Sequence, residues 1–183
     1  MRAPTRFGIA LVLALGLASG ALLSGCVSNP ENATSVDEGQ GMQLGDLLYN
    51  VQITRFLNPK DDEDKAYLQG QPPLPSNLYY LGVFMQIQNK GDTAQQIPKD
   101  FTIVDTEGTK FKPVPSHSLF ALGLGTNVAA DGEVPPPEST AANGPIQGSM
   151  VLFRVDDRSI EDRPLILHIP SSSGPAGEVE LDI

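Results

Sequence analysis

Between residues 81 and 88 large apolar side chains fall on every second position, Leu81, Val83, Met85 and Ile87, and the stretch ends in Asn89-Lys90-Gly91-Asp92. A period of two is the repeat of a strand with one buried face, and Asn, Gly and Asp together favour a turn. The spacing predicts the longest strand of the chain here, central to its sheet. Leu47, Tyr49, Val51 and Ile53 alternate in the same way with Leu48, Asn50, Gln52 and Thr54. Phe101 to Val104 forms a shorter strand that stops at Asp105-Thr106-Glu107-Gly108, where glycine supplies the positive φ of a turn, and another follows around Phe111. Met150 to Val155 and Leu165 to Ile169 are apolar at nearly every position, as strands covered on both faces are. Glu178 to Ile183 closes the chain with clean alternation. About seven short strands, no convincing amphipathic helix, and Gly and Pro at 34 of 183 positions predict an all-β chain. The expected architecture is an antiparallel two-sheet β-sandwich, with a small barrel as the alternative closure.

The amino end reads differently. Arg2 and Arg6 precede an uncharged apolar run from Phe7 to Leu23, which ends in Leu23-Ser24-Gly25-Cys26. A helix over that run would span roughly 25 Å, short of a hydrocarbon core, so it reads as the h-region of a signal peptide over residues 1–25. Leu-Ser-Gly-Cys looks like a bacterial lipobox, in which the cysteine receives diacylglycerol and becomes the first residue of the mature chain. An ordinary secretory signal with a chance cysteine is the competing reading. Cys26 is the sole cysteine, so no intramolecular disulfide can hold the fold and no other thiol competes for the lipid. Two or three acyl chains, at about 0.8 kcal/mol per buried CH₂, make a stable anchor. The expected location is the extracytoplasmic face of the cell membrane.

Beyond Cys26 the chain retains ten of its 12 basic residues against all 22 acidic ones, a formal −12. That charge disfavours nucleic acid and repels anionic head groups. Residues 26–43 are small, polar and acidic, and predict a lipidated cysteine followed by a disordered tether; the domain is expected over 44–183.

From Gly45 to Ile183 the chain resembles secreted immunoglobulin-like lipoproteins of Gram-positive and actinobacterial type, a family of unknown function. The resemblance rests on the lipobox, the polar tether, the strand Tyr79 to Asp92, Phe101-x-x-x-Asp105-x-x-Gly108, and Gly148-x-x-x-Leu152-Phe153-x-Val155. It implies an immunoglobulin-like β-sandwich without an established catalytic site. Two insertions depart from the pattern, around Asp61 to Pro75 and Pro113 to Pro145, and any specific function is expected there.

Chemistry-bearing clusters are sparse. Asp61-Asp62-Glu63-Asp64 lacks the alternate ligand spacing and the glycine of a calcium loop and reads as a solvated loop. Asp156, Asp157, Glu161 and Asp162 are interleaved with Arg158 and Arg163 and read alike; two acidic loops meeting in space could still make a cation site. Ser116-His117-Ser118 sets a base between two hydroxyls, but adjacent residues seldom pair for nucleophilic catalysis and no orienting acid can be named. His168 falls in an apolar strand, and no spacing points to a transition metal or any cofactor. The segment Leu119-Phe120-Ala121-Leu122-Gly123-Leu124-Gly125 carries four large apolar side chains outside any alternation. It reads either as a flap capping one end of the sandwich or as an exposed apolar lip, with Leu119, Phe120, Leu122 and Leu124 the candidate partner-binding residues. The expected function is a non-catalytic binding or protein-interaction module with an envelope partner. The alternative is a lipid-tethered carrier of a small molecule or metal ion; an envelope hydrolase has only Ser116 and His117 in its favour.

Overall fold

The computed structural model describes residues 34–183, so the signal peptide, the lipidation of Cys26 and the first part of the tether lie outside the described residues. In chain order the described elements are β1 Ser35–Asp37, β2 Gly41–Leu44, β3 Leu47–Leu57, β4 Leu78–Asn89, β5 Gln95–Gln96, β6 Thr102–Val104 and β7 Lys110–Phe111. There follow β8 Asn127–Val128, β9 Glu133–Val134, α1 Thr140–Asn143, β10 Ser149–Asp156, α2 Asp157–Glu161, β11 Leu165–Ile169 and β12 Gly177–Leu181. One sheet runs β1-β12-β11-β6-β7, a second runs β10-β4-β3-β2 with β9 added to the far end of β4, and β5 pairs with β8 alone. The protein is an immunoglobulin-like β-sandwich. β3, β4, β6, β7, β10, β11 and β12 are the seven strands expected from the sequence, and the others span two to four residues each.

β4 is the longest strand, at 12 residues, and is hydrogen-bonded on both sides, to β3 and β10. Its inner face, Leu81, Val83, Met85 and Ile87, is fully buried against Leu165, Leu167 and Ile169 of β11 and Val179 of β12. The turn after it is built by Asn89, whose amide donates to the carbonyls of Thr93 at 2.7 Å and Ala129 at 2.9 Å while its Oδ1 accepts from Gly91 N at 3.0 Å. Tyr49 of β3 is buried edge-on to Phe101, and desolvation pushes its phenol far above the ordinary range.

Three expectations are corrected. First, the tether expected over residues 26–43 gives way to structure from Ser35 onward. β1 pairs in parallel with Glu178 to Glu180 of β12, and β2 pairs antiparallel with β3. β1 carries Val36 into the core and β2 carries Met42 and Leu44, and the backbone pairing supplies the rest. Second, Ile53 does not share a face with Leu47, Tyr49 and Val51. A bulge at Gln52 sets Val51 opposite Met85 but Ile53 opposite Phe84, which turns Ile53 to the other side and leaves it 41% exposed. Third, β11 is not covered on both faces: its residues alternate between buried and half-buried, with Ile166 and His168 outward. β10 is covered as expected.

The cover over β10 and β4 comes from the two insertions. The outer face of the second sheet presents Leu57, Tyr80, Phe84, Met150 and Leu152, and onto it fold Tyr67 and Leu68 of the first insertion and Phe120 and Ala141 of the second. Tyr67 stacks edge-on to Phe84 at 5.1 Å between ring centres and tilted against Phe120 at 4.5 Å. Hydrogen bonds lock the layer: Ser118 Oγ donates to Ala66 O (2.8 Å), Tyr80 OH to Pro72 O (2.7 Å) and Gln71 Nε2 to Pro115 O (2.6 Å). Gly148 immediately precedes β10 at φ +129°, and a Cβ there would lie 3.0 Å from the backbone nitrogen of Met85. Only glycine fits that junction.

Met42→Ala tests whether the chain before residue 44 belongs to the domain. Removing a fully buried Met side chain costs about 2–5 kcal/mol, read as a lower urea midpoint; no change would mean that β2 contributes nothing.

Candidate functional site

The candidate apolar loop does not form an exposed lip. Its backbone runs beside the edge of β10, where Met150 N donates to Phe120 O at 2.7 Å and Leu122 N donates to Met150 O at 2.8 Å. This parallel bridging fixes where each side chain points. Phe120 goes down into the outer core and Leu122 into the inner one, at 7% and 6% exposure, and half-buried Leu124 packs against the inner core. Leu119 alone of the four stands out, 75% exposed. The flap reading describes three of these residues, because an apolar sheet face beneath them had to be covered.

Beside the flap lies a cleft of about 470 Å³, where β6 and β7, at one edge of the first sheet, approach β10, the edge of the second. Its lining comes from four stretches: residues 99–102, 112–116, 121–124 and 150–152. Val114 N donates to Leu152 O at 2.8 Å above, and the Ala121 bridge holds the chain against Met150 below. Between these two attachments the second insertion bows away from β10 and leaves the gap. Pro113, Val114, Pro115, Leu122, Leu124 and Met150 make its walls apolar. Lys99, Asp100, Lys112, Thr102 and Ser116 supply its polar groups. Lys99 and Lys112 make no ion pair among the described residues. Leu122 and Leu124 thus join the site as walls of a cleft, and nothing in the local pattern of residues 99–116 marks the rest.

The acidic clusters are built into the fold. In the run 61–64 only Asp64 is buried, and its carboxylate accepts from the Arg55 guanidinium and from Asn58 N, anchoring the first insertion to the end of β3. Asp61, Asp62 and Glu63 are exposed, so the solvated-loop reading describes those three and not the fourth. Asp156 caps α2 by accepting from Ser159 N at 2.9 Å. Asp105 holds its own turn, with Oδ1 accepting from Glu107 N at 3.1 Å and Thr109 N at 2.8 Å while Oδ2 accepts from Ser159 Oγ at 2.8 Å. Burial pushes the Asp105 carboxyl up, but the hydrogen bonds from Ser159, Thr109 and Glu107 outweigh it and hold the group below its ordinary value. Among the described residues no group of three or more His, Cys, Asp and Glu is arranged to hold a metal ion. The Ser-His-Ser stretch also separates: His117 is exposed, while Ser118 is buried and spends its proton on Ala66 O. His168 faces outward beside Glu178, 3.6 Å away.

These features define a β-sandwich with a covered outer sheet face and one lateral cleft. No protein-family profile matches the chain, and no curated protein matches it. Among solved structures it is similar to an uncharacterized β-sandwich protein of Clostridium difficile 630, 13% identical, over 84% of this chain and 97% of that one, with a TM-score of 0.50. It is similar also to a functionally unknown protein of Listeria monocytogenes EGD-e, 12% identical over 80% and 84% of the two chains, TM-score 0.49. A third is the lipoprotein candidate YcdA of Bacillus subtilis, 17% identical over 80% of this chain and 38% of that one, TM-score 0.47. The first likeness shows the β-sandwich fold and carries nothing about activity.

Two outcomes follow. Phe120→Ala lowers stability by about 3–5 kcal/mol, whereas Leu119→Ser shifts it by less than about 0.5 kcal/mol in the same denaturant titration. Similar effects at both positions would contradict the flap. Asp105, depressed below its unfolded value of 3.8, adds stability that is fully present above pH 3.8 and lost as pH falls through the depressed value. Asp105→Asn therefore lowers the melting temperature at pH 7 and flattens its dependence on pH below 3.8; an unchanged acid profile would show that the turn does not hold the charge.

Proposed function

We propose that this chain is an extracytoplasmic lipoprotein, held to the cell membrane by lipid on Cys26, whose sandwich is a non-catalytic binding module taking its ligand in the lateral cleft. The observation that carries the reading is the cleft itself. At about 470 Å³ it falls within the roughly 300–1,000 Å³ range of small-molecule sites, with apolar walls and a few polar groups at its border. The leader, the lipobox and the resemblance to secreted immunoglobulin-like lipoproteins support the location. The placement of Phe120 and Leu122 under the flap weighs against a protein partner gripping an apolar lip and favours the carrier form of the function, in which a small solute is captured.

Thr102 and Ser116 line the cleft without being buried, so Thr102→Trp and Ser116→Trp fill it at little cost to the fold. In a thermal-shift panel of small anions, amphiphiles and sugars, the parent gains melting temperature with at least one class, as binding to the native state requires, and both variants lose the gain. A gain that survives in both variants places the ligand elsewhere, and a flat response across the panel overturns the carrier form.

A further inference from the structure

The position of the cleft says more about its ligand than its lining does. In the first sheet Ser35 lies opposite Glu178, Glu178 opposite His168, and His168 opposite Thr102, so these four residues form one cross-strand row. Thr102, in the cleft, is three strand spacings, about 14 Å, from the strand that opens the described chain. β1 and β12 run away from that row, β11 back toward it and β6 away again, so residues 99–101, which precede β6, lie on the side of the row from which the chain enters. Lys99 therefore borders the cleft at the pole where the chain arrives from Cys26. Seven residues lie between Cys26 and Thr34, eight Cα steps with a reach of at most about 28 Å. The tether expected over residues 26–43 would have left the domain free to stand off; structure from Ser35 onward takes up half of it and keeps this pole nearer the bilayer.

Acidic groups stand at both ends of the same axis, and the turns holding Asp46, Asp92 and Asp131 lie together at the pole where the chain arrives. The run 61–64 follows the end of β3 at Leu57, and Asp156, Asp157, Glu161 and Asp162 follow the end of β10, where Asp156 faces Leu78 and Leu57 faces Tyr80 at the opposite end of β4. The two densest acidic groups thus sit at the pole away from the membrane. At the cleft the balance is reversed: Lys99 and Lys112 against Asp100 leave one net positive charge beside apolar walls.

Resting on the cleft as the ligand site, we infer that its ligand is a single acyl chain with a carboxylate head, taken from the membrane beneath the domain. Pro113, Val114, Pro115 and Leu124, the apolar side chains of the lining that are not buried, receive the chain, and Lys99 and Lys112 hold the head by charge-assisted hydrogen bonds. One net positive charge matches a monoanion and leaves a dianionic phosphate uncompensated.

The test is photolabelling of the full lipidated chain in membranes preloaded with dodecanoate carrying a diazirine near its methyl end, followed by peptide mapping. Labelling is expected within residues 112–124 or 150–152. It should fall by about tenfold or more with Lys99→Glu/Lys112→Glu, and by a similar factor for the parent protein when the probe is the corresponding diazirine dodecanol. Both lysines are exposed or at the border of the cleft, so the double variant folds, and its melting temperature verifies that. Equal labelling by the acid and the alcohol, or labelling outside these stretches, overturns the proposal. If dodecanoate fails to label while another ligand still loses its thermal gain in Thr102→Trp, the acyl assignment falls and the cleft stands; if neither is seen, both fall.

Discussion

The second sheet is apolar on both faces, and a two-layer sandwich can cover only one of them. β4 sends Leu81, Val83, Met85 and Ile87 inward and Tyr80 and Phe84 outward; β10 adds Met150 and Leu152 to the outer side. Leaving an aromatic or Met side chain of this kind in water forfeits about 1.5–3 kcal/mol each, so the outer face demands a third layer. The two insertions supply it, and that requirement decides their shape. Tyr67 must reach Phe84, Phe120 must reach Tyr67, and the chain between Pro113 and Leu122 must run along β10 to bring them there. Room for the layer is left by Gly82, where an added Cβ would lie 2.9 Å from the Phe84 ring and 3.1 Å from Leu57.

The cleft is a by-product of this covering. A segment held at Val114 and again at Ala121, with a wider bow between, leaves a gap against the edge of the first sheet. The gap is bordered by whatever side chains the first sheet presents there, which are Lys99, Asp100, Thr102 and Lys112. Covering the apolar surface and opening the cleft are therefore consequences of the same path of chain.

What could be read from the sequence was what repeats locally. The seven longer or better-patterned strands showed in the sequence, and the turns at Asn89 and Asp105 through their side chains. β1 and β2 did not show, because a strand of three or four residues with one or two apolar side chains is too short to establish a period; Val36 before a Glu38-Gly39 turn and Met42 and Leu44 after it were the only trace. The bulge at Gln52 was equally silent, since the alternation continues through it in the sequence while the face changes in space. The outer core did leave a signal, in Tyr80 and Phe84 on the supposedly solvated side of β4 and in the unbroken apolar run of β10. Tyr67, Leu68 and Phe120, scattered in insertions, carried no period to say where they pack. The cleft was beyond reach for another reason: its groups come together from positions as far apart as Lys99 and Leu152. Only Ser116, Leu122 and Leu124 were singled out, and for other roles.

The account stands on the insertions being a fixed layer of the native domain. Native-state hydrogen exchange reads this at Val114 N, Leu122 N and Met150 N, the amides that join the second insertion to β10. If the layer is integral, these amides exchange only with global unfolding, at the same free energy as those in the centre of β4. Exchange of Val114 and Leu122 at a much lower free energy, with β4 still protected, would show a detached loop and contradict both the third layer and the cleft it creates.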